Sequence, residues 1–489
     1  MMKRKFMSIS ASWPLLVCAV VLISAQDAAP KVPVVQPTAA DGPFIAKPYL
    51  QLGHTQAPGK LVLMWHAADA DANWAVEYQP GTAARWQAAK APSARRVAVA
   101  GVAPHRVYHV ALTGLQPGEM FGYRVSLGGQ VVFTAEARAP KRLDQPQRFV
   151  VFGDCGAGTP EEKAIAYRAY QSKPDFLMIT GDIVYGDGRI NEYREKYWPI
   201  LNADEASPSE GAPLLRSTLT VAAPGNHDIA HRDLGKAPDG LAYFYYWNQP
   251  VNGPPGKEGG PLVAPVPGPE ANKKAFLEAA GDAFPRMANF SFDYGSAHWT
   301  VLDANPTVDW SNPELQAWVA ADLAAAKAAA WRFVSFHQPG FNSSKKHFDE
   351  QQMRILAPVF EAGKVDVVFS GHVHNYQRSY PLRFLPAAAS SSGTETKSRH
   401  VDGQWTLDKE FNGQTDTTPQ GVIYVITGAG GQHLYNPEQQ DDPASWQEFT
   451  FKHLSKVHSL TVADIDGTTL TVRQLTPAGD EVDRFVITK

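Results

Sequence analysis

The chain has 489 residues, 44% of them hydrophobic and 19% charged, with a formal net charge of -4. That is the composition of a globular protein long enough for two or three domains with real cores. It carries no overall basic field of the kind that recruits nucleic acid.

The first 25 residues read as a secretory signal peptide. Lys3, Arg4 and Lys5 supply the charged start, Trp13 to Ile23 a short apolar run, and Ser24-Ala25 the small residues before a cleavage point at Gln26. The run is too short to span a bilayer, so the expected location is secreted or periplasmic, with no stable membrane insertion after cleavage. Cys18 lies inside this segment and leaves the mature chain with Cys155 alone and no intramolecular disulfide. Cys155 reads as a small buried residue in a tight turn.

Residues 26–42, rich in Ala, Pro and Asp, read as a flexible leader. From 43 to 140 the texture is all-β. Leu61 to Trp65, Trp74 to Tyr78, Val107 to Leu112 and Phe121 to Val125 are β-branched and aromatic runs separated by turn residues such as Gln116-Pro117-Gly118. A hundred residues of short strands predict a small β-sandwich, a support or binding module without clustered titratable groups. Residues 141–147 form a linker containing Pro146.

From 148 to 489 strands alternate with helices, which predicts an α/β architecture. Five apolar runs each end on a polar cluster. Arg148 to Phe152 ends on Gly153-Asp154. Phe176 to Thr180 ends on Gly181-Asp182, with Tyr185 three residues on. Leu219 to Ala223 precedes Gly225-Asn226-His227-Asp228. Arg332 to Phe336 ends on His337, and Val365 to Phe369 precedes Gly371-His372-Val373-His374. Continuous apolar runs of this length are the mark of buried parallel strands. Ligands of open α/β sheets bind beyond the carboxyl ends of such strands, so one edge of one sheet is expected to collect the clusters. Between them, Thr159-Pro160 and Asn312-Pro313 open helices with a capping residue followed by proline, the second helix running to about Ala330. Asn248 to Glu270 and Phe384 to Gln420 read as long loops, the second as mobile. The chain closes on strands at Val422–Thr427, Ser459–Ile465, Thr469–Leu475 and Arg484–Thr488, with a hairpin turn at Asp466-Gly467.

Two Asp, a Tyr, an Asn and three His form a donor set for hard to borderline cations, with no thiolate requirement. Seven donors exceed what one open catalytic metal uses. They suit two metals sharing a bridging carboxylate, an arrangement that clamps in-line displacement at phosphorus. Each cluster alone has an ordinary explanation in turn chemistry or helix capping; the joint pattern, each at a strand end, points to metal.

The motifs resemble those of the purple acid phosphatases within the calcineurin-like metallophosphoesterases: Gly153-Asp154-Cys155-Gly156, Gly181-Asp182-Ile183-Val184-Tyr185, Gly225-Asn226-His227-Asp228, Val334-Ser335-Phe336-His337 and Gly371-His372-Val373-His374. The front segment, with Lys47-Pro48-Tyr49-Leu50-Gln51 and Leu112 to Gly118, resembles the fibronectin-III-like part of the larger plant-type members. The resemblance implies a four-layer αββα metallophosphoesterase sandwich preceded by that small all-β domain. It implies Fe(3+) held by Asp154, Tyr185 and His374, a divalent Fe, Zn or Mn held by Asn226, His337 and His372, and Asp182 bridging the two. It also implies that His227 stabilises or protonates the leaving group, that Asp228 orients His227, and that His347 contacts substrate. Lys345 and Lys346 beside His347 read as a solvated charge pair; His231 and His298 read as packing or supporting residues. Asp228 stands where the family more often has Glu, and the cysteine that joins subunits in plant enzymes has no counterpart, so the oligomeric state stays open.

The expected activity is hydrolysis of small phosphate monoesters by in-line attack of a metal-bound hydroxide, as in an acid phosphatase. A phosphodiesterase, nucleotidase or phytase on the same centre is the alternative. A non-catalytic surface-binding protein on a phosphatase scaffold is the rival from another class.

Overall fold

The computed structural model describes residues 42–82, 84–387 and 399–489. The expected signal peptide and all but the last residue of the expected leader lie outside the described residues, as do positions 388–398 of the expected mobile loop. No described helix is long and apolar enough to cross a membrane.

Residues 46–138 form two four-stranded antiparallel sheets. One runs in the order Ala46–Gln51, Leu61–Ala68, His105–Leu112, Ser93–Val97; the other in the order Gln87–Ala88, Trp74–Tyr78, Met120–Leu127, Gln130–Arg138. Their inner faces meet through large rings. Trp65 lies flat against Tyr108 with ring centroids 5.3 Å apart and meets Trp74 edge-on. Buried contacts join this sandwich to the C-terminal layers. Tyr49 donates to the Tyr246 carbonyl at 2.7 Å, Gln51 to that of Thr220 at 3.1 Å, and Tyr123 to that of Arg216 at 2.8 Å.

The five motif strands are β1 (Gln147–Phe152), β2 (Phe176–Ile179), β3 (Leu219–Ala222), β4 (Trp331–Ser335) and β5 (Val367–Ser370). They do not share one sheet. A six-stranded sheet runs β3, β2, β1 in parallel and continues antiparallel through Leu460–Asp466, Thr469–Leu475 and Glu481–Thr488. A seven-stranded sheet holds β4 and β5 side by side in parallel, with Phe290–Tyr294 at one edge and Thr450–Leu454 at the other. A buried apolar run reports cover on both faces but not which sheet provides it, so the single sheet suggested by the runs alone becomes the two paired sheets of the αββα sandwich that the resemblance implies.

The two sheets stack. Phe149 of β1 meets Trp299, Phe333 and Phe369 of the facing sheet at 5.1 to 6.1 Å between centroids. Alternation then sends Val150 and Phe152 to the opposite face, where they pack on Ile165, Ala166 and Ala169 of α1 (Pro160–Gln171). On the far side of the second sheet, Leu315, Val319 and Leu323 of α2 (Pro313–Ala325) cover Val334 and Val368. The result is four layers, helix, sheet, sheet, helix. Both helices start as expected: the Thr159 hydroxyl accepts from the Glu162 N–H, and the Asn312 side chain from those of Glu314 and Leu315. α2 ends at Ala325, short of the expected Ala330.

One loop expectation needs correction and the other holds. Residues 382–407 contain a hairpin, Leu382–Pro386 against Gly403–Leu407, with Phe384 buried. The Ser/Thr-rich sequence at 390–398, between its strands, gives the segment its polar look. The stretch 248–270 is irregular but held, since Gln249 is buried and bonds the Ala222 backbone at 2.7 and 3.0 Å, and Val263 is also buried.

His298, on the second strand of the Phe290–Tyr294/Ala297–Val301 hairpin, joins that edge to α2. Nδ1 stands 2.8 Å from Asp293 and Nε2 3.1 Å from Asp322, so both ring nitrogens face carboxylates. Burial works against the charged ring, but the two hydrogen bonds outweigh it and hold its pKa up at about 9. Its contribution is therefore complete below the unfolded value near 6.5 and is lost as pH rises through about 9. In urea melts, the stability gap between the parent and His298→Ala should carry a pH-dependent part of about 1–2 kcal/mol at pH 6, allowing for the exposure of Asp293, and that part should vanish by pH 10.

Candidate metal centre

The loops after β1 and β2 extend the parallel pairing of their strands. Asp154 N–H donates to the Gly181 carbonyl at 3.0 Å, Cys155 to Asp182 at 3.2 Å and Gly156 to Ile183 at 3.1 Å. Asp154 thus lies beside Asp182. The second sheet closes from the other side: the Gly371 N–H donates to the His337 carbonyl at 2.9 Å, and the His372 N–H to Asp154 Oδ2 at 2.8 Å. The motif glycines are there for room. A Cβ on Gly371 would stand 2.6 Å from Asp154 Oδ2, one on Gly181 2.6 Å from His337 Nδ1, and one on Gly225 would run into Asp182. Gly181 also has φ +92°, which a side chain tolerates poorly.

The polar groups gather in two adjoining sets at the seam between the sheets. In the first, Tyr185 Oη lies 3.0 Å from Asp154 Oδ1 and 2.9 Å from His374 Nε2, and that nitrogen is 3.4 Å from Asp154. In the second, ligand atoms of Asp182, His337 and His372 lie within 4.8 Å of one another. His337 Nε2 is 3.1 Å from Asp182 and 3.9 Å from Asp154, which joins the sets. Asn226 sits between Gly225 and His227, and the His227 N–H donates to Asp182 Oδ1 at 3.0 Å. The Asn226 side-chain oxygen is buried with no donor.

Each of these three histidines has one ring nitrogen tied to an acceptor. Nδ1 of His337 donates to the Thr180 carbonyl at 2.8 Å, Nδ1 of His374 to that of His433 at 2.8 Å, and Nε2 of His372 to Glu350 Oε2 at 3.0 Å. That leaves a lone pair on the other nitrogen, the condition for binding a metal.

Asp154 and Asp182 are buried, and among the described residues their only cationic partners are histidines, with no lysine or arginine in ion-pair reach. Two buried carboxylates without a fixed cation are costly. Burial opposes ionisation of Asp182, but the field of the His337 ring 3.1 Å away holds it below the usual carboxylate range. Burial likewise opposes charging His337, while Asp182 and Asp154 draw its pKa up to about 10. The cluster draws in positive charge from whatever lies nearest. Burial, then the fields of Asp154 and Asp182, push the Tyr185 phenol well above its ordinary value, so it would ionise only beside a cation. Oxygen and imidazole donors, the orphaned Asn226 oxygen and the His337 nitrogen that makes no hydrogen bond together fit a cation pair.

The family model described as calcineurin-like phosphoesterase matches residues 147–376. Those residues form a calcineurin-like phosphoesterase domain. Over 387 residues it is 25% identical to purple acid phosphatase 23 of Arabidopsis thaliana, spanning 71% of this chain and 69% of that protein. It is 24% identical over 362 residues to a protein of the same plant named probable inactive purple acid phosphatase 27, spanning 68% of this chain and only half of the relative. Its fold matches a purple acid phosphatase from yellow lupin seeds with a TM-score of 0.60 at 16% identity, covering 90% of this chain and 74% of that one.

Around this centre the three residues expected to handle substrate fall differently. His227 is about a third exposed; its Nδ1 donates to the Gly186 carbonyl at 2.8 Å, leaving Nε2 4.0 Å from Asp182 Oδ2. Asp228 does not orient it. The Asp228 carboxylate is buried and accepts the N–H groups of Gly225 at 2.7 Å and Ile183 at 3.1 Å, so it braces the loops after β2 and β3 against each other. His347 sits at the mouth, its ring 4.0 Å from that of His372 and its Nδ1 2.9 Å from Glu350 Oε1.

Glu350 is the residue that motif reading misses. One carboxylate joins His347, His372 and, at 2.9 Å, Arg399. Tyr435 is another, its ring stacked 4.0 Å from His374. Neither lies in a recognisable motif; the only hint for Glu350 is its position three residues after His347. Carboxylates behind metal-binding histidines commonly tune affinity 10–100-fold. Glu350→Gln should therefore fold normally by circular dichroism and lose about tenfold in affinity for a divalent ion in a metal titration.

Proposed function

We propose that this phosphoesterase is a binuclear-metal acid phosphatase acting on phosphate monoesters. The reading is carried by the buried Asp154–Asp182 pair, which has no fixed cation and is ringed by imidazoles presenting lone pairs. Asp154, Tyr185 and His374 would hold one metal, as ferric iron. Asn226, His337 and His372 would hold a divalent partner (iron, zinc or manganese), and Asp182, between the sets, would serve both. When bound, such a pair supplies Lewis-acid polarisation of the phosphoryl group and a nucleophile near neutral pH.

The protein's own groups do the rest. His227 is fixed through Nδ1 to the Gly186 carbonyl, which leaves Nε2, 4.0 Å from Asp182 Oδ2, to carry a proton to the leaving oxygen. His347 has its Nδ1 held by Glu350, and its Nε2 would donate to a phosphoryl oxygen. With the secretory reading of residues 1–25, the enzyme would act outside the cytoplasm.

Asp182→Asn should lower kcat on p-nitrophenyl phosphate by at least a hundredfold and reduce bound metal in elemental analysis. The parent should show a visible tyrosinate-to-iron band that Tyr185→Phe abolishes. Unchanged turnover in Asp182→Asn, or a metal-free parent that hydrolyses the ester, would sink the proposal; an inert, metal-loaded parent would favour the non-catalytic scaffold.

A further inference from the structure

The mouth of the site carries two cations that the proposed chemistry does not use. Lys345 and Lys346 read alike in sequence, but the structure separates them. Lys345 pairs with Glu438 at 3.2 Å. Lys346 pairs with no carboxylate among the described residues; its ammonium sits 5.6 Å above the Tyr435 ring, which also meets His374 at 4.0 Å and His347 at 5.7 Å. Its backbone is pinned at both ends, the N–H donating to Asn436 Oδ1 at 3.0 Å and the carbonyl accepting from Asn342 at 3.0 Å. The next residue, His347, takes φ +59°. A lysine on so fixed a backbone, and over a ring, samples less space than a free surface lysine.

The second cation is Arg399, just before the Gly403–Leu407 strand. One nitrogen, Nη1, stands 2.9 Å from Glu350 Oε2, the same oxygen that takes His372 Nε2 at 3.0 Å. The guanidinium is thus within about 6 Å of the His372 ring nitrogen, and the side chain is 43% exposed. Its segment is held in place: the Gln351 N–H donates to the Arg399 carbonyl at 3.1 Å, and Arg354 Nη1 donates to that of Val401 at 3.3 Å. The nearby acids do not cancel this arrangement. Glu350 is shared among His347, His372 and Arg399, Glu438 is held by Lys345, Asp187 by His231, and Asp349 is exposed without an ion pair.

Resting on the phosphatase reading, we propose that Lys346 and Arg399, on either side of His347, select monoesters whose leaving group bears a second phosphate or comparable dianion. With the scissile phosphoryl group at the seam and its leaving group directed out past His347, a second dianion reaches an ammonium and an arginine edge with donors to spare. These are rim contacts, partly screened by solvent. They act on binding of the organic part and appear in KM.

Fructose 1,6-bisphosphate and fructose 6-phosphate form a matched pair of probes, compared by phosphate release and by calorimetric binding to metal-loaded protein. The parent should favour the bisphosphate about tenfold in kcat/KM and in affinity, less so at 0.5 M salt. Lys346→Gln and Arg399→Gln should each cut that ratio about threefold to fivefold through KM, and Lys346→Arg should keep it. Equal treatment of the two sugars by the parent, or an unchanged ratio in both Gln variants, overturns the inference. Preferential binding without phosphate release upholds it and removes the hydrolase reading alone.

Discussion

Two carboxylates, Asp154 and Asp182, are buried at the seam of two sheets with no lysine or arginine among the described residues to neutralise them. Every other feature of the site answers that imbalance. The histidines around them are held through one nitrogen so that the other stays open, and a tyrosine hydroxyl is wedged between carboxylate and imidazole. Packing alone would not keep such a cluster, because replacing it with apolar groups of similar volume is often neutral or stabilising. It persists where a ligand supplies the charge.

Backbone strain arises from the same demand. Asp154, Asp182, His347 and His372 all take positive φ, from +47° to +67°. Each such residue costs about 1–2 kcal/mol over an ordinary conformation. Asp and His tolerate the left-handed region better than branched residues, and the strain is held by regular pairing on either side, Asp154 and Cys155 against Gly181 and Asp182 in the first sheet, Gly371 against His337 in the second. The turn it produces lets a strand end present a side chain sideways into the seam.

The five motif loops were legible because their strands are apolar throughout and their ends carry donor residues in a rare order. β1 to β5 fall within two residues of the expected spans. Their division between two sheets was legible only through the family resemblance and not in the runs themselves, since Phe333 and Val367 look the same whichever sheet covers them. Asp228 misled for a related reason: a carboxylate beside a histidine reads as its orienter, whereas three-dimensional pairing hands it the backbone of Ile183 and Gly225. Glu350, Tyr435 and Arg399 reach the centre from loops whose local sequence says nothing of where they end. The hairpin at 382–407 was hidden by the Ser/Thr-rich sequence between its strands.

The sandwich at residues 46–138 is keyed into the layers behind it by Tyr49, Gln51 and Tyr123, each donating to a main-chain carbonyl of the αββα layers. Thr220 belongs to β3, the strand that delivers Asn226. Anything that loosens this front wall therefore tugs on the strand behind one half of the cation cradle. The module is a buttress rather than a pendant, and a shortened chain lacking it would inherit a bare aromatic flank together with a slack ligand.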